Sequence, residues 1–370
     1  MTPLRALPRD FTLLALNAIT SEFFYERISI QNKKQLIALT EGLKSPIIAN
    51  RVAQWTRRFD LNYAHTPVYN NGDKGMVVRI LRSCPNLTHL VIEVDTDEYK
   101  VGAKARDTTT IIDACAKSCK RLEVLHLAFN LTTYMWAEMP LGVFLNAFRN
   151  IRILRLGGSA SMAIPRTAGV HLGELPFLHT FEACKKVHFV HFTHVRLPLL
   201  SALHIRRNRC PYIVDLSSGL LEFISVHGKK LTTLTFIGVV HEHNARGVAP
   251  ILTKCMRLQV FVTDIVDLIR LLPIDQLFLP QVTRLELTNY SLTMLPNGSQ
   301  TIVLANLRTH FPSLEVLRWL GSDQDEPSSD TETDVDPLEG DTDAHQDLGA
   351  GIRIENQDGE KLELSQLLIW

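Results

Sequence analysis

The chain of 370 residues lacks any apolar run close to the roughly 20 residues that a membrane-spanning helix needs, although apolar residues make up 45% of it. It also lacks a net charge, because 39 acidic residues balance 39 basic ones. A strong positive field is typical of proteins that bind nucleic acids or membrane surfaces. We therefore expect a soluble protein with a well-filled core, whose partners include no nucleic acid and no membrane.

Cysteine is scarce, with six residues in the whole chain, and three of them (Cys84, Cys119 and Cys255) occupy the same turn of a repeat. Scattered thiols of this kind fit a reducing compartment better than a disulfide framework. The N-terminus has an apolar stretch over residues 11–18, but no clear small-residue cleavage site follows it. Both observations favour an intracellular protein, in the cytoplasm or the nucleus.

Signatures of common catalytic sites are also missing. The glycine-rich run Gly157-Gly158-Ser159-Ala160-Ser161 has neither the lysine nor the spacing of a phosphate-binding loop, and no Gly-x-Ser-x-Gly elbow occurs. We therefore expect a non-enzymatic protein with no catalytic residues, no cofactor and no metal.

One cluster keeps an enzyme open as an alternative. His188, His191 and His194 fall within seven residues, and histidine is a common zinc ligand. If the segment were a strand, however, His188 and His191 would point to opposite faces, and no carboxylate or cysteine stands at a standard ligand spacing beside them. A metal-dependent enzyme built on 188–194 is thus the less favoured hypothesis, and stoichiometric zinc in purified protein would support it.

What the chain does contain is a repeated kernel: an apolar residue, two variable residues, an apolar residue, one variable residue and a last apolar residue. It recurs every 22 to 35 residues, within the range of solenoid repeats. The nine copies are Leu87/Leu90/Ile92, Leu122/Leu125/Leu127, Ile151/Leu154/Leu156, Leu178/Phe181/Ala183, Leu200/Leu203/Ile205, Leu231/Leu234/Phe236, Leu258/Phe261/Thr263, Val282/Leu285/Leu287 and Leu314/Leu317/Trp319. A degenerate tenth copy, Thr56/Phe59/Leu61, sits where an N-terminal capping unit belongs.

The last two apolar positions of the kernel lie two residues apart, so in an extended strand they point to the same side. One repeat cannot cover its own apolar edge, whereas stacked repeats cover one another. The pattern therefore predicts an α/β fold, namely an irregular leucine-rich-repeat solenoid with a curved parallel sheet and about nine to ten repeats. Helical spacing predicts returning helices over 108–117, 139–148, 216–226, 245–253, 265–272 and 300–309.

The region before the first full copy is less regular. Residues 23–30 alternate like a strand with Phe24 and Ile30 on one side, and 33–43 has helical spacing that Ser45-Pro46 ends. A loop is expected at 70–75, followed by the first returning helix over 76–82.

Composition divides the chain into four regions: an N-terminal cap region at 1–50, the repeats at 51–320, an acidic segment at 321–351 and a tail at 352–370. The acidic segment has eleven acidic residues and no lysine or arginine, so we expect it to be disordered. In the tail, Ile352 and Ile354 face Leu362 and Leu364 across Asp358-Gly359, which predicts a terminal hairpin.

Solenoids of this class bind partner proteins on the concave strand face. The residues predicted to form that surface occupy the variable slots of the kernel, so their role is inferred from geometry alone. They are His89, Val91, Val124, His126, Ile153, Arg155, Ala202, His204, Thr233, Thr235, Arg284, Glu286 and Arg318.

Four stretches carry a resemblance to a known family: 24–30 (Phe-Tyr-Glu-Arg-Ile-Ser-Ile), 35–39, 55–61 (Trp-Thr-Arg-Arg-Phe-Asp-Leu) and 80–90. Together they resemble the F-box and leucine-rich-repeat-like proteins of mushroom-forming fungi, in which a Leu-Tyr-Glu-x-Ile strand closes the F-box helices and leads into the repeats. The resemblance covers most of the chain up to Trp319. It implies a substrate adaptor that hands targets to a cullin-type ubiquitin ligase through a small linker subunit.

One departure from that family concerns the F-box itself. A full box needs some 40 residues before the Tyr-Glu strand, and only 24 precede Tyr25 here. Leu7-Pro8 resembles the opening of the box, but the middle helix, with its Cys-Arg-x-Trp pattern, is missing. We therefore read region 1–50 as a truncated F-box-like cap. A stand-alone repeat protein without a ligase link stays open as an alternative.

Overall fold

The computed structural model describes residues 24–62, 71–94, 108–129, 141–158, 173–183, 189–190, 192–206, 218–238, 240, 245–274, 277–288, 307–320 and 352–361. Two compact units make up the chain, Met1–Leu200 and Ser201–Trp370. The acidic segment 321–351, residues 1–23 and the tail from 362 lie outside the described residues.

The first unit is built on six parallel strands, each paired with the next along the chain. The strands are β1 (Arg27–Ile30), β2 (Arg58–Asn62), β3 (His89–Val94), β4 (Val124–Phe129), β5 (Ile153–Gly158) and β6 (Thr180–Ala183). The helices described between them are α1 (Lys33–Gly42), α2 (Pro46–Trp55), α3 (Asn71–Arg82), α4 (Thr108–Ser118) and α5 (Leu141–Ala147). Helix α4 packs against both α3 and α5, so these helices form a second layer beside the sheet.

The second unit repeats the arrangement, again with every strand parallel to its neighbour. Its strands are β7 (Ala202–Arg206), β8 (Thr233–Ile237), β9 (Val260–Asp264), β10 (Arg284–Thr288), β11 (Val316–Leu320) and β12 (Arg353–Glu355). Its described helices are α6 (Ser218–His227), followed by a 3-10 turn at Gly228–Lys230, α7 (Ala245–Thr253) and α8 (Ile265–Leu271). Asp264 caps α8 by accepting the N–H of Asp267 at 2.7 Å.

A recurring pair of backbone hydrogen bonds fixes the start of eight of the described strands, β3 to β6 and β8 to β11. One carbonyl oxygen accepts two consecutive N–H groups from the following repeat: Thr88 O accepts Glu123 N at 2.9 Å and Val124 N at 3.0 Å. The same double acceptance occurs at the carbonyl oxygens of Arg57, Glu123, Arg152, Ser201, Thr232, Gln259 and Thr283. Because a shift by one residue would break every such pair, the register between neighbouring strands is set.

The core consists of the apolar kernel positions together with one more position, three residues before each copy. That preceding residue accepts the N–H of the first kernel residue and is buried in every described repeat. It is occupied in turn by Cys84, Cys119, Phe148, Leu175, Leu197, Gly228, Cys255, Leu279 and Phe311. At Gly228 a Cβ atom would come within 2.9 Å of the Ile224 side chain, so the bulk allowed here differs between repeats.

The predicted α/β class, with parallel strands that alternate with helices, is confirmed. All nine kernel copies form strands, and the degenerate tenth copy forms β2. The described parts of the predicted returning helices are helical, except that α5 and α8 end one residue earlier than predicted, at Ala147 and Leu271. Helix α7 has the predicted bounds of 245–253.

The structure differs from the expectations for several short segments. The strand expected at 23–30 is limited to β1 (Arg27–Ile30), because residues 24–26 are helical and Phe24 is exposed rather than turned inward. That strand precedes β2, so the degenerate tenth copy is not the first unit of the sheet. Pro46 does follow the end of α1, but it also begins a second helix, since proline suits the first helical turn.

The loop expected at 70–75 is instead the first part of α3, which begins at Asn71. Asp73 lies in its first turn, where a carboxylate interacts favourably with the helix dipole, and it forms an ion pair with Lys33 at 3.1 Å. Helical order therefore starts earlier than the two glycines suggested.

Residues 353–355 of the tail join the sheet, which the expectation of a terminal hairpin did not include. Strand β12 pairs in parallel with β11, and a single antiparallel bridge joins Glu355 to Lys361 beyond a turn at Gly359. The pairing of Ile352 and Ile354 with Leu362 and Leu364 lies outside the described residues.

We predict that Leu154→Ala lowers the free energy of unfolding by about 2–5 kcal/mol, because the buried Leu154 side chain would leave a cavity among neighbouring repeats. Leu199→Ala is the matched control, since Leu199 belongs to the same unit but is 46% exposed. Urea unfolding followed by circular dichroism measures both. Equal losses in the two variants would contradict a core organised by the kernel.

Candidate protein-binding surface

The variable strand positions of each unit alternate with the buried kernel positions and form a surface that we call the open face. In the first unit it comprises Arg27, Arg58, Asp60, His89, Val91, Val124, His126, Ile153, Arg155, Thr180 and Glu182. In the second unit it comprises Ala202, His204, Thr233, Thr235, Val260, Val262, Arg284, Glu286, Val316, Arg318, Arg353 and Glu355.

All thirteen residues predicted for the binding surface lie at these alternating strand positions. Thr235 nevertheless cannot serve as a contact residue, because it is only 1% exposed. Its hydroxyl lies 2.7 Å from Nδ1 of His204 on the adjacent strand, so the two side chains support each other within the face. The prediction for Thr235 is wrong because alternation gives the face of a side chain but not how far its neighbours cover it.

Sequence reasoning missed the charged residues at the N-terminal edge of the first unit. Asp60 on β2 is largely buried and is shared by two arginines: Arg27 approaches its Oδ2 through Nη2 at 2.7 Å, and Arg58 approaches Oδ1 through Nε at 2.9 Å. Arg27 and Arg58 are direct neighbours on β1 and β2. Two positive charges therefore meet one negative charge at this edge.

A chain of charged side chains continues across the first unit. His126 Nδ1 lies 3.4 Å from Glu93 Oε1, and Arg155 Nε lies 3.1 Å from Glu182 Oε2. Burial, together with the neighbouring Arg155, lowers the pKa of His126 to about 4. Burial and the nearby Asp60 raise the pKa of Glu93. The imidazole is therefore neutral near pH 7, which reduces its attraction for Glu93.

The second unit has a similar cluster at its C-terminal edge, which was also missed apart from Arg318. Glu355 on β12 is buried, and its Oε2 accepts Arg318 Nη2 at 2.6 Å while its Oε1 accepts Arg353 Nε at 2.6 Å. Hydrogen bonds from Arg318 lower the pKa of Glu355, with a further contribution from Arg353. Arg284 and Glu286 are a looser pair at 3.9 Å.

The register between neighbouring strands is the feature from which these ion pairs could have been predicted. Arg27 and Asp60 are 33 residues apart, and Arg318 and Glu355 are 37 apart, but each pair joins neighbouring strands. Aligning the kernel copies by position, rather than reading each copy alone, places them side by side.

The described cysteines are buried structural thiols. Cys84, Cys115, Cys119 and Cys255 are free, and burial raises the pKa of Cys84 and of Cys255 to about 12. A hydrogen bond from Cys115 lowers the pKa of Cys119, but Cys119 is only 4% exposed. Cys184 and Cys210 lie outside the described residues.

Part of the histidine cluster at 188–194 also lies outside the described residues, namely His188 and His191. The neighbouring Phe189 and Phe192 are helical and buried against Phe181, so the described part of this segment is not a strand. His194 is exposed. Within the described residues, no group of three or more histidine, cysteine or acidic side chains is arranged to hold a metal ion.

Lowering the pH should destabilise the protein partly through His126. Its pKa is about 4 in the folded state against about 6.5 in a model peptide, so on acidification the unfolded chain gains a proton first and the free energy of unfolding falls between pH 6.5 and 4. We predict that His126→Asn reduces this fall by about 2 kcal/mol between pH 7 and 4.5. Urea unfolding at both pH values tests it, and an unchanged pH dependence would show that the imidazole is not desolvated.

Comparisons with known proteins add the following findings. No protein-family model matches the chain, and no curated protein matches it. Among solved structures, the chain is similar to a protein from Bacteroides fragilis, at 14% identity and a TM-score of 0.43, over 74% of this chain and 76% of that one. No described helix is long and apolar enough to cross a membrane.

Proposed function

We propose that the chain is a non-enzymatic scaffold that binds a partner protein on its open face. The observation that carries the proposal is the open face itself: charged and aliphatic side chains are partly exposed there, while the backbone beneath them is fixed in register by paired hydrogen bonds. Side chains that are already ordered lose little entropy on binding, which favours recognition. An α/β repeat scaffold is compatible with this role.

The finer proposal is that partner capture serves a cullin-type ubiquitin ligase, with the chain as substrate adaptor. The resemblance to F-box and leucine-rich-repeat-like proteins supports this role. The truncated F-box region leaves a stand-alone binding protein as the alternative proposal, and a test with the linker subunit separates the two.

The open face can be tested by charge reversal at Arg155, whose side chain is about half exposed beside Glu182. We expect Arg155→Glu to reduce capture of the partner protein about tenfold, since an exposed arginine at the centre of an interface is a frequent energetic hot spot. Quantitative affinity capture from native cells, followed by mass spectrometry, measures the ratio of variant to wild type.

Arg152→Glu is the matched control. Arg152 is paired with Glu123 at 3.6 Å across neighbouring repeats, as Arg155 is with Glu182, but it precedes β5 and does not lie on the open face. Both variants must keep the circular dichroism spectrum of the wild type. Equal capture by the two variants would remove the open face from the proposal.

The ligase link predicts that the linker subunit binds through the N-terminal region. Deleting residues 2–23 removes Leu7-Pro8 but leaves β1 paired with β2, so the sheet is preserved. We expect this deletion to abolish binding of the linker subunit, with Kd rising beyond the range of an interferometry assay. Linker binding that survives the deletion would contradict the truncated-box hypothesis, and absence of binding by the intact chain would favour the stand-alone role.

A further inference from the structure

We infer that the open face of the first unit recognises an extended peptide segment of a partner protein, in which an acidic side chain stands about four positions from an aliphatic one. This inference rests on the proposed function and deepens it by naming the chemistry of the partner. It follows from three features of the first unit: the arginine pair, an aliphatic patch and the distance between them.

The arginine pair supplies the acidic specificity. Asp60 neutralises only one of the two guanidinium groups that approach it, so the edge keeps a net positive charge. Arg27 binds Asp60 Oδ2 through Nε at 2.8 Å and Nη2 at 2.7 Å, whereas the hydrogen bonds from Arg58 to Asp60 use Nε. The Arg27 and Arg58 side chains are 60% and 42% exposed, so their remaining N–H groups are accessible to a carboxylate from outside.

The aliphatic patch lies on the neighbouring strands of the same face. One row of residues runs across strands β1 to β5: Arg27, Arg58, His89, Val124 and Ile153. Val124 and Ile153 are direct neighbours in this row. Val91 lies on β3, two residues after His89, and is therefore diagonal to Val124. All three side chains are partly exposed. Together with His126, which is the strand neighbour of Val91 on β4, they form a centre of uncharged side chains. Charged residues lie on both sides of it, Asp60 and its arginines towards β1 and Arg155 with Glu182 towards β6. An apolar centre with a polar rim is typical of protein interfaces.

The spacing of the two features sets the spacing in the ligand. Neighbouring strands are about 4.8 Å apart, so three strand intervals separate the arginine pair on β1 and β2 from the Val124–Ile153 pair on β4 and β5, or roughly 14 Å. An extended peptide advances about 3.4 Å per residue. A segment that crosses the strands therefore places an acidic and an aliphatic side chain about four positions apart.

The test uses the full chain and a set of fluorescent peptides. Each peptide carries one aspartate and one leucine in a serine-rich background, with separations from one to eight positions, and fluorescence polarisation gives Kd. We expect the tightest binding at a separation of about four. Replacing the aspartate by asparagine in that peptide should weaken binding about tenfold, the size of effect expected for a charge-assisted arginine contact.

Two protein variants assign the two ends of the peptide. Arg27→Ala should weaken the aspartate peptide about tenfold but leave the asparagine peptide unchanged, while Arg58 continues to pair with Asp60. Arg152→Ala is its control, because Arg152 is also 60% exposed and paired with a glutamate but lies off the open face. Ile153→Ser should weaken both peptides, with Ile37→Ser as the control at an exposed apolar residue of α1.

The outcomes separate this inference from the proposed function. Binding that does not depend on separation, or that Arg27→Ala and Arg152→Ala reduce equally, overturns the inference. If no peptide binds but Arg155→Glu still reduces partner capture, the inference fails and the proposed function stands. If capture is also unaffected, both fail.

A peptide of residues 330–340, in which Asp334 precedes Leu338 by four positions, is measured in the same fluorescence polarisation assay. If it binds more tightly than every designed peptide, the occupant is the acidic segment of this chain itself, and the assignment to a different protein is overturned.

Discussion

The architecture of both units depends on one backbone contact, in which a carbonyl oxygen at the start of one strand accepts two consecutive N–H groups from the next repeat. Parallel strands cannot be joined by a tight turn, so each must return through a helix or a long connection before it pairs. At the eight strands that have it, the double acceptance, as at Thr88 and at Thr232, ensures that the return ends at the same residue of the repeat. Without it, strands of four to six residues would have too few ladder bonds to resist slipping.

A fixed register has a direct effect on the open face. A slip of one residue would exchange the inward leucines with the outward charges. Because no such slip occurs, Arg27 stands beside Arg58, Val124 beside Ile153, and Arg155 beside Glu182. The chemical character of the surface is therefore a property of rows that run across the strands, and individual repeats contribute only one or two side chains to each row.

The sequence was informative where the kernel is complete. Nine copies with two apolar residues at a spacing of two gave nine strands, and the exposed slots between them were correctly assigned to one side of each strand. Strands β1 and β12 were harder, because each has three or four residues, flanked by segments whose period fits a strand or a turn equally well. Pro46 follows α1 as expected, but the helix that it begins was not predicted, because proline both follows helices and begins them.

The charged pairs show a different limit. Arg27 contacts Asp60, and Arg318 contacts Glu355, across strand neighbours more than 30 residues apart in the chain. The pattern within one repeat relates residues only about ten positions apart, so it does not indicate that such distant residues form pairs. The burial of Thr235 could not be predicted from its own repeat for a related reason. It depends on how far His204 and the adjacent strands cover the Thr235 side chain.

The buried position three residues before each kernel has an evolutionary consequence. It holds glycine in one repeat, cysteine in three and phenylalanine in two, although the backbone there makes the same hydrogen bond throughout. Each turn has thus adapted to the volume left by its own neighbours, as the close approach of Ile224 to Gly228 shows. The repeats share a backbone but are not interchangeable modules, and a chimera that duplicates or exchanges whole repeats would bring mismatched volumes together unless the adjoining helix were exchanged as well.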